Sequence, residues 1–160
     1  MKQMMIRLIP AVLALCLVLT ACGSKTAEET GSGYDPASTA QALMDSGAFS
    51  EALSQLDLDT AAALYGLDPE SITDCAVYGS LSAGAEELAV IALKDKDAAS
   101  TALAALEKRI DDQKAALKDY QPEEVTKLDN AILEQNGNTV LMVVAADNQP
   151  ALDVLDGMGE

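Results

Sequence analysis

The stretch Leu19-Thr20-Ala21-Cys22 has the clearest chemistry in the chain. An apolar residue, two small ones and a thiol suit the narrow groove of a signal peptidase. Cleavage between Ala21 and Cys22 would free Cys22 as an N-terminus, its sulfur carrying a diacylglyceryl group as a thioether. Two fatty acyl chains of the palmitate type, at ~0.8 kcal/mol per buried methylene, meet the two-signal requirement for stable anchoring. A second constellation lies near the middle. A 100° helical step places Arg109 and Gln113 on the border of an apolar face, near Tyr120. A guanidinium, an amide and a phenol together could grip a carboxylate, making these three the candidate ligand-binding residues. The same Arg could instead bond to a sheet edge or a neighbouring Asp.

Other chemistries fall away on composition. The chain has no His, which removes the commonest general base and the commonest metal ligand. Cys75 therefore has no imidazole to activate it, and its apolar setting raises a thiol pKa. Ser80 and Ser82 lack a Gly-x-Ser-x-Gly elbow. Asp57-x-Asp59 with Asp68 fails as a calcium loop, because Ala62 stands where the turn needs Gly and Asp68 where it needs Glu. No zinc spacing or phosphate-cradling loop is present, so no metal and no cofactor are expected. The 160 residues carry a net charge of −16, which argues against binding nucleic acid through phosphates. Loss of residues 1–21 would remove Lys2 and Arg7, leaving 8 basic against 26 acidic residues, a net of −18. Cys75 would then be the one free thiol, with no intramolecular disulfide.

Three segments must position these residues. Residues 1–21 read as a lipoprotein signal peptide: basic at Lys2 and Arg7, then apolar from Leu8 to Leu19. That run of 12 residues is too short for a bilayer, which needs ~20. Residues 22–33 read as the lipidated Cys and a flexible tether, with a reach of roughly 18 Å. Residues 34–160 read as one α+β domain. Asp35-Pro36 opens a helix that ends at Ser46-Gly47. Phe49 to Leu58 is ambiguous. Asp59-Thr60 could cap a short helix over Ala61 to Tyr65. Cys75 to Tyr78 and Glu87 to Leu93 read as strands, and Asp97 to Asp119 as the longest helix, blocked by Pro122. After a turn at Pro122-Glu123-Glu124, Leu128 to Gln135 and Thr139 to Ala145 read as a hairpin around Asn136-Gly137. Asp147-Asn148 caps a last helix. The expected architecture is an antiparallel sheet of about four strands in two hairpins, with helices packed mainly on one face. With five aromatic residues, the core must be aliphatic.

Several of these stretches together resemble a family of small lipoproteins of Gram-positive bacteria, domain of unknown function 4358. They are Leu64-Tyr65-Gly66-Leu67, Asp74 to Tyr78, Glu86-Glu87-Leu88-Ala89-Val90, Arg109…Gln113…Tyr120-Gln121-Pro122-Glu123, and the Asn136-Gly137 hairpin. Glu86 stands where the pattern leads one to expect Asp, and Ala92-Leu93 precedes a Lys that often comes sooner. The resemblance covers roughly Leu64 to the C-terminal region. It implies a shared topology and brings no catalytic residue.

The expected role is a non-enzymatic binding or scaffolding module at the extracytoplasmic side of the cell membrane. The membrane is met through the lipid anchor, and the partner is a protein or another envelope component. The alternative is a small-ligand or cation receptor using the sheet face or the Arg109 border. A third reading, a cell-wall hydrolase using two carboxylates, requires a cleft with paired acids, one of them desolvated.

Overall fold

A computed structural model of the chain describes residues 33–158. The segments 1–21 and 22–33, and with them Ala21 and Cys22, lie outside the described residues except for Gly33. Five helices and five strands follow one another. They are α1 (Pro36–Asp45), β1 (Leu53–Leu56), α2 (Leu58–Tyr65), β2 (Ile72–Ser80), β3 (Glu87–Leu93), α3 (Lys96–Leu117), α4 (Pro122–Asp129), β4 (Ile132–Asn136), β5 (Thr139–Val144) and α5 (Gln149–Met158). A single 3-10 turn, Pro69–Ser71, leads into β2. Among the described residues no helix is long and apolar enough to cross a membrane.

Aspartates start three of the helices by accepting an otherwise orphaned amide. Asp35 accepts from Ser38 N, Asp57 from Thr60 N and Asp95 from Ala98 N, at 2.9, 2.8 and 2.7 Å. The caps of α2 and α3 therefore lie two residues before the Asp59 and Asp97 expected from the sequence. Gly66 ends α2 with φ of +66°, the left-handed region a β-carbon disfavours. Pro122-Glu123-Glu124 opens α4 instead of forming a plain turn. Proline at a first helical turn lacks an N–H that would be unbonded anyway, and acids there suit the helix dipole. As a result β4 begins at Ile132, not Leu128.

The sheet is antiparallel in the order β1-β2-β3-β5-β4. It has five strands, one more than expected, because Leu53-Ser54-Gln55-Leu56 pairs with the far half of β2. The β4–β5 hairpin turns at Gly137-Asn138, inside the pair Asn136–Thr139, one residue later than expected. Gly137 supplies the positive φ of +61° that such a turn needs.

Helices cover both faces, not mainly one. Val77, Ala89, Ile91, Met142 and Val144 pack with α2, α3 and α4. Ala76, Leu88, Val90, Leu141 and Val143 pack with Ala40 and Leu43 of α1 and Ala151 and Leu155 of α5. Alternate side chains of a strand point to opposite faces. Two covered faces thus explain why β3 and β5 are apolar almost throughout. Leu88 and Ile91, one on each face, are both fully buried, worth about 1.5–3 kcal/mol apiece.

The chain enters the domain tightly. A β-carbon on Gly33 would overlap Thr139 and the Asn136 carbonyl. Tyr34 N donates to Thr139 Oγ1 at 2.9 Å and the Tyr34 hydroxyl to Glu134 Oε2 at 2.7 Å. Entry is thus pinned to the turn end of the β4–β5 hairpin.

Candidate functional site

The charged residues that the fold brings together sit at the other end of the sheet. There β2 ends, β3 begins and β5 ends, as the pairs Gly79–Glu87 and Glu87–Val144 show. Glu87 opens β3 there, and Glu86 lies in the loop just before it. The two carboxylates enter different surroundings.

Glu87 turns toward α2 and α3 and is 3% exposed. Arg109 donates to its Oε2 from Nη2 at 2.8 Å and from Nε at 3.3 Å. The Tyr65 hydroxyl donates to Oε1 at 2.9 Å, and Gln113 Nε2 to Oε2 at 3.3 Å. Burial, then the neighbouring Glu87, push the Tyr65 phenol well above its ordinary value, so it stays a donor. One guanidinium faces one carboxylate, and the cluster is charge-balanced. A cavity of about 490 Å³ beside it is lined by Leu64, Tyr65, Ala105 and Arg109.

Glu86 lies in a different network. Its buried carboxylate accepts from Ser50 N at 2.9 Å, Glu51 N at 3.0 Å, Ser50 Oγ at 2.6 Å and Lys127 Nζ at 3.0 Å. Lys127 also reaches Glu51 at 3.1 Å and Glu124 at 2.9 Å. Glu124 in turn accepts from Ala85 N at 2.7 Å, which ties α4 to the β2–β3 loop. Ser80 and Ser82 donate to Glu51. A β-carbon on Gly84 would collide with that carboxylate, so a larger residue there has to push the Glu51 side chain aside. Three carboxylates share one ammonium, leaving a surplus of two negative charges.

These environments set the protonation states. Burial alone pushes Glu86 and Glu51 upward. Hydrogen bonds from Ser50 and the Glu51 amide to Glu86, from Ser80 and Ser82 to Glu51, and from Lys127 to both outweigh it and hold both below their ordinary value. Burial works to lower Lys127, and its three carboxylates more than reverse that, raising it. A general acid needs a carboxyl that keeps its proton near neutrality, and Glu51 and Glu86 are shifted the opposite way. Glu86 and Glu87 also do not face each other across a cleft.

A groove of about 700 Å³ adjoins the cluster, between α4, the end of β5 and the start of α5. Ile132, Ala145 and Leu152 form its apolar part, and Glu123, Lys127 and Asp147 its charged part. Asn148, also in its lining, donates to the Asn130 carbonyl, while its buried Oδ1 has no partner among the described residues. Leu81, Tyr120 and Leu152 stay exposed, at 72, 86 and 37%. Leu81 follows β2, Leu152 lies in the first turns of α5, and Tyr120 lies in the α3–α4 connection, whose helix α4 is tied to the β2–β3 loop.

Of the residues singled out from the sequence, Arg109 and Gln113 converge on one carboxylate. It belongs to the protein's own Glu87, and Tyr65 supplies the phenol. Tyr120 does not join them. α3 ends at Leu117, so Tyr120 leaves the helical face that Arg109 and Gln113 share. Cys75 is half-buried against the core, and burial, then Asp74, raise its thiol. Glu51, Glu86, Glu124 and Lys127 were not legible as a group. The available signal was the dipeptide Glu86-Glu87 opening an apolar run, since charge at a core strand demands partners. Among the described residues no group of three or more His, Cys, Asp or Glu could hold a metal ion.

A family model described as a domain of unknown function, DUF4358, matches residues 45–145, more than half of the chain. The match takes in both charged clusters and stops before Asp147 and α5. No curated protein and no solved structure matches the chain.

Proposed function

Since the chain belongs to the DUF4358 family, whose description assigns no activity, we propose that it is a lipid-anchored extracytoplasmic binding module. The observation that carries this reading is the 700 Å³ groove beside the Lys127 cluster. It combines apolar lining with charge, the mixture binding sites use for affinity and orientation. The buried ionic groups beside it are occupied by internal bonds to Lys127, Ser50, Ser80 and Ser82. The anchor rests on Leu19-Thr20-Ala21-Cys22 and on the tether that follows it.

Two experiments test the reading. Cys22→Ala should abolish fatty-acid labelling and membrane retention in cell fractionation; unchanged labelling removes the anchor. A photo-crosslinker at position 152 on living cells should capture partners that the same group at position 101, far from the groove, does not. Identical capture patterns remove the groove as the binding surface.

A second reading, a small-ligand receptor, draws on the cavity beside Arg109. There a ligand carboxylate would have to displace Glu87 from Arg109, Tyr65 and Gln113. Arg109→Ala should then abolish a ligand-dependent melting shift in a metabolite screen.

A further inference from the structure

We infer that the groove between α4 and α5 docks a cationic peptide segment of a partner protein, one presenting Lys or Arg beside an apolar side chain. The inference rests on the binding-module reading above and names the chemistry of its partner.

Charge complementarity carries it. Within the groove and the cluster behind it stand Glu51, Glu86, Glu124, Glu123 and Asp147 against Lys127 alone. The ammonium of Lys127 is consumed by three of those carboxylates. Glu123 and Asp147 are exposed and have no cation in an ion pair among the described residues. A concave wall with an excess of one sign of charge concentrates its field and speeds the arrival of the opposite sign. The field opposes nucleic acids and anionic headgroups.

The apolar part specifies the rest. Ile132, Ala145 and Leu152 form a strip along the same groove, with Leu152 still 37% exposed. A bare inorganic cation leaves this strip wet. A peptide carrying a Leu-like side chain next to a basic one covers both, an apolar centre with a polar rim.

Placement makes the surface reachable. The chain enters at Gly33 beside Asn136 and Thr139, whereas the groove lies past the other end of β5. Six strand residues separate the two ends, or about 20 Å at ~3.3 Å per residue. A tether attached at Gly33 therefore leaves the groove on the far end.

The test uses the full mature protein in detergent and a fluorescent synthetic peptide of alternating Lys and Leu, read by anisotropy. The peptide should bind, and added salt should weaken it as exposed charges are screened. Glu123→Gln with Asp147→Asn keeps the side-chain shapes and the α5 cap oxygen; it should weaken binding about tenfold. Leu152→Ser should weaken binding by a similar factor. Asp97→Asn with Glu107→Gln, exposed acids elsewhere, should leave it unchanged. A peptide with Glu in place of Lys should not bind. Equal binding of the Glu peptide, or no response to the Glu123/Asp147 pair, overturns the inference. So does failure of the Lys/Leu peptide to bind protein that melts normally. If a neutral ligand instead shifts melting through Leu152, the cationic partner is wrong and the binding module stands. If crosslinking at position 152 is also featureless, both fall.

Discussion

Glu86 and Glu87 are neighbours in the chain where β3 begins, yet one shares a single ammonium with two other carboxylates while the other has a guanidinium of its own. Around Glu87, Arg109, Tyr65 and Gln113 make a balanced set that fixes α2 and α3 to the sheet. Around Lys127, one cation joins the β1 approach, the β2–β3 loop and α4, and the set keeps a negative surplus beside a groove. A balanced buried pair is complete in itself. An unbalanced one keeps a long-range field, and that field is available for recognition.

The comparison can be broken most forcefully at Lys127. Lys127→Met strands three partly buried carboxylates together, and removing one partner of a buried ionic group typically costs about 3–5 kcal/mol. The midpoint of urea unfolding should fall with its slope unchanged. Near-wild-type stability would show that the cluster is hydrated and its charge inconsequential. Glu87→Gln should come next, at about 2 kcal/mol, since Arg109 then faces a neutral amide. Glu87→Met with Arg109→Met should lose less than the two single changes combined, because neither leaves an orphan. Simple additivity would deny that the two act as a closed pair.

Acidity separates the clusters more gently. Glu51 and Glu86 are held below the ordinary value of 4.5. Their stabilisation is therefore full above pH 4.5 and lost as pH falls through their folded values. Lys127 is raised above 10.5 and Tyr65 above 10.0, so their contributions are lost as pH rises past those values. Melting temperature followed across pH should decline at both extremes, and Lys127→Met should shrink the acid-side decline without removing it, since serine and amide hydrogen bonds still hold Glu51 and Glu86 low and capping bonds hold Asp35 and Asp57. An acid-side decline unchanged in that variant would place the acid sensitivity wholly outside the Lys127 ion pairs. The smallest effect belongs to Tyr120→Ala, within about 0.5 kcal/mol in thermal unfolding, as for surface sites generally. A larger loss would return Tyr120 to a structural role.

Much of the fold was legible in the sequence because its signals are local. Asp35-Pro36, the apolar recurrence of α3 and the glycine at 137 act over a few residues. β1 was not, since four residues carry too little periodicity to register. The covering of both sheet faces was encoded in the unbroken apolar runs of β3 and β5, a pattern that strands with one wet face do not show. The site was mostly hidden. Arg109 and Gln113 share a helix face and could be paired by spacing. Lys127 and Glu51 stand 76 residues apart and meet only through the packing of α4 on the sheet.

The seating of Gly33 and Tyr34 on the β4–β5 hairpin has a mechanical consequence. Any tension in the preceding chain is delivered first to Thr139 and Glu134, through two hydrogen bonds. Those residues belong to the hairpin that carries the edge strand β4, so a pull begins by loading the border of the sheet. The groove, at the other end of β5, sits at the unloaded end of that path. In the proposed docking, a partner bound there lies away from the end that such a pull loads first.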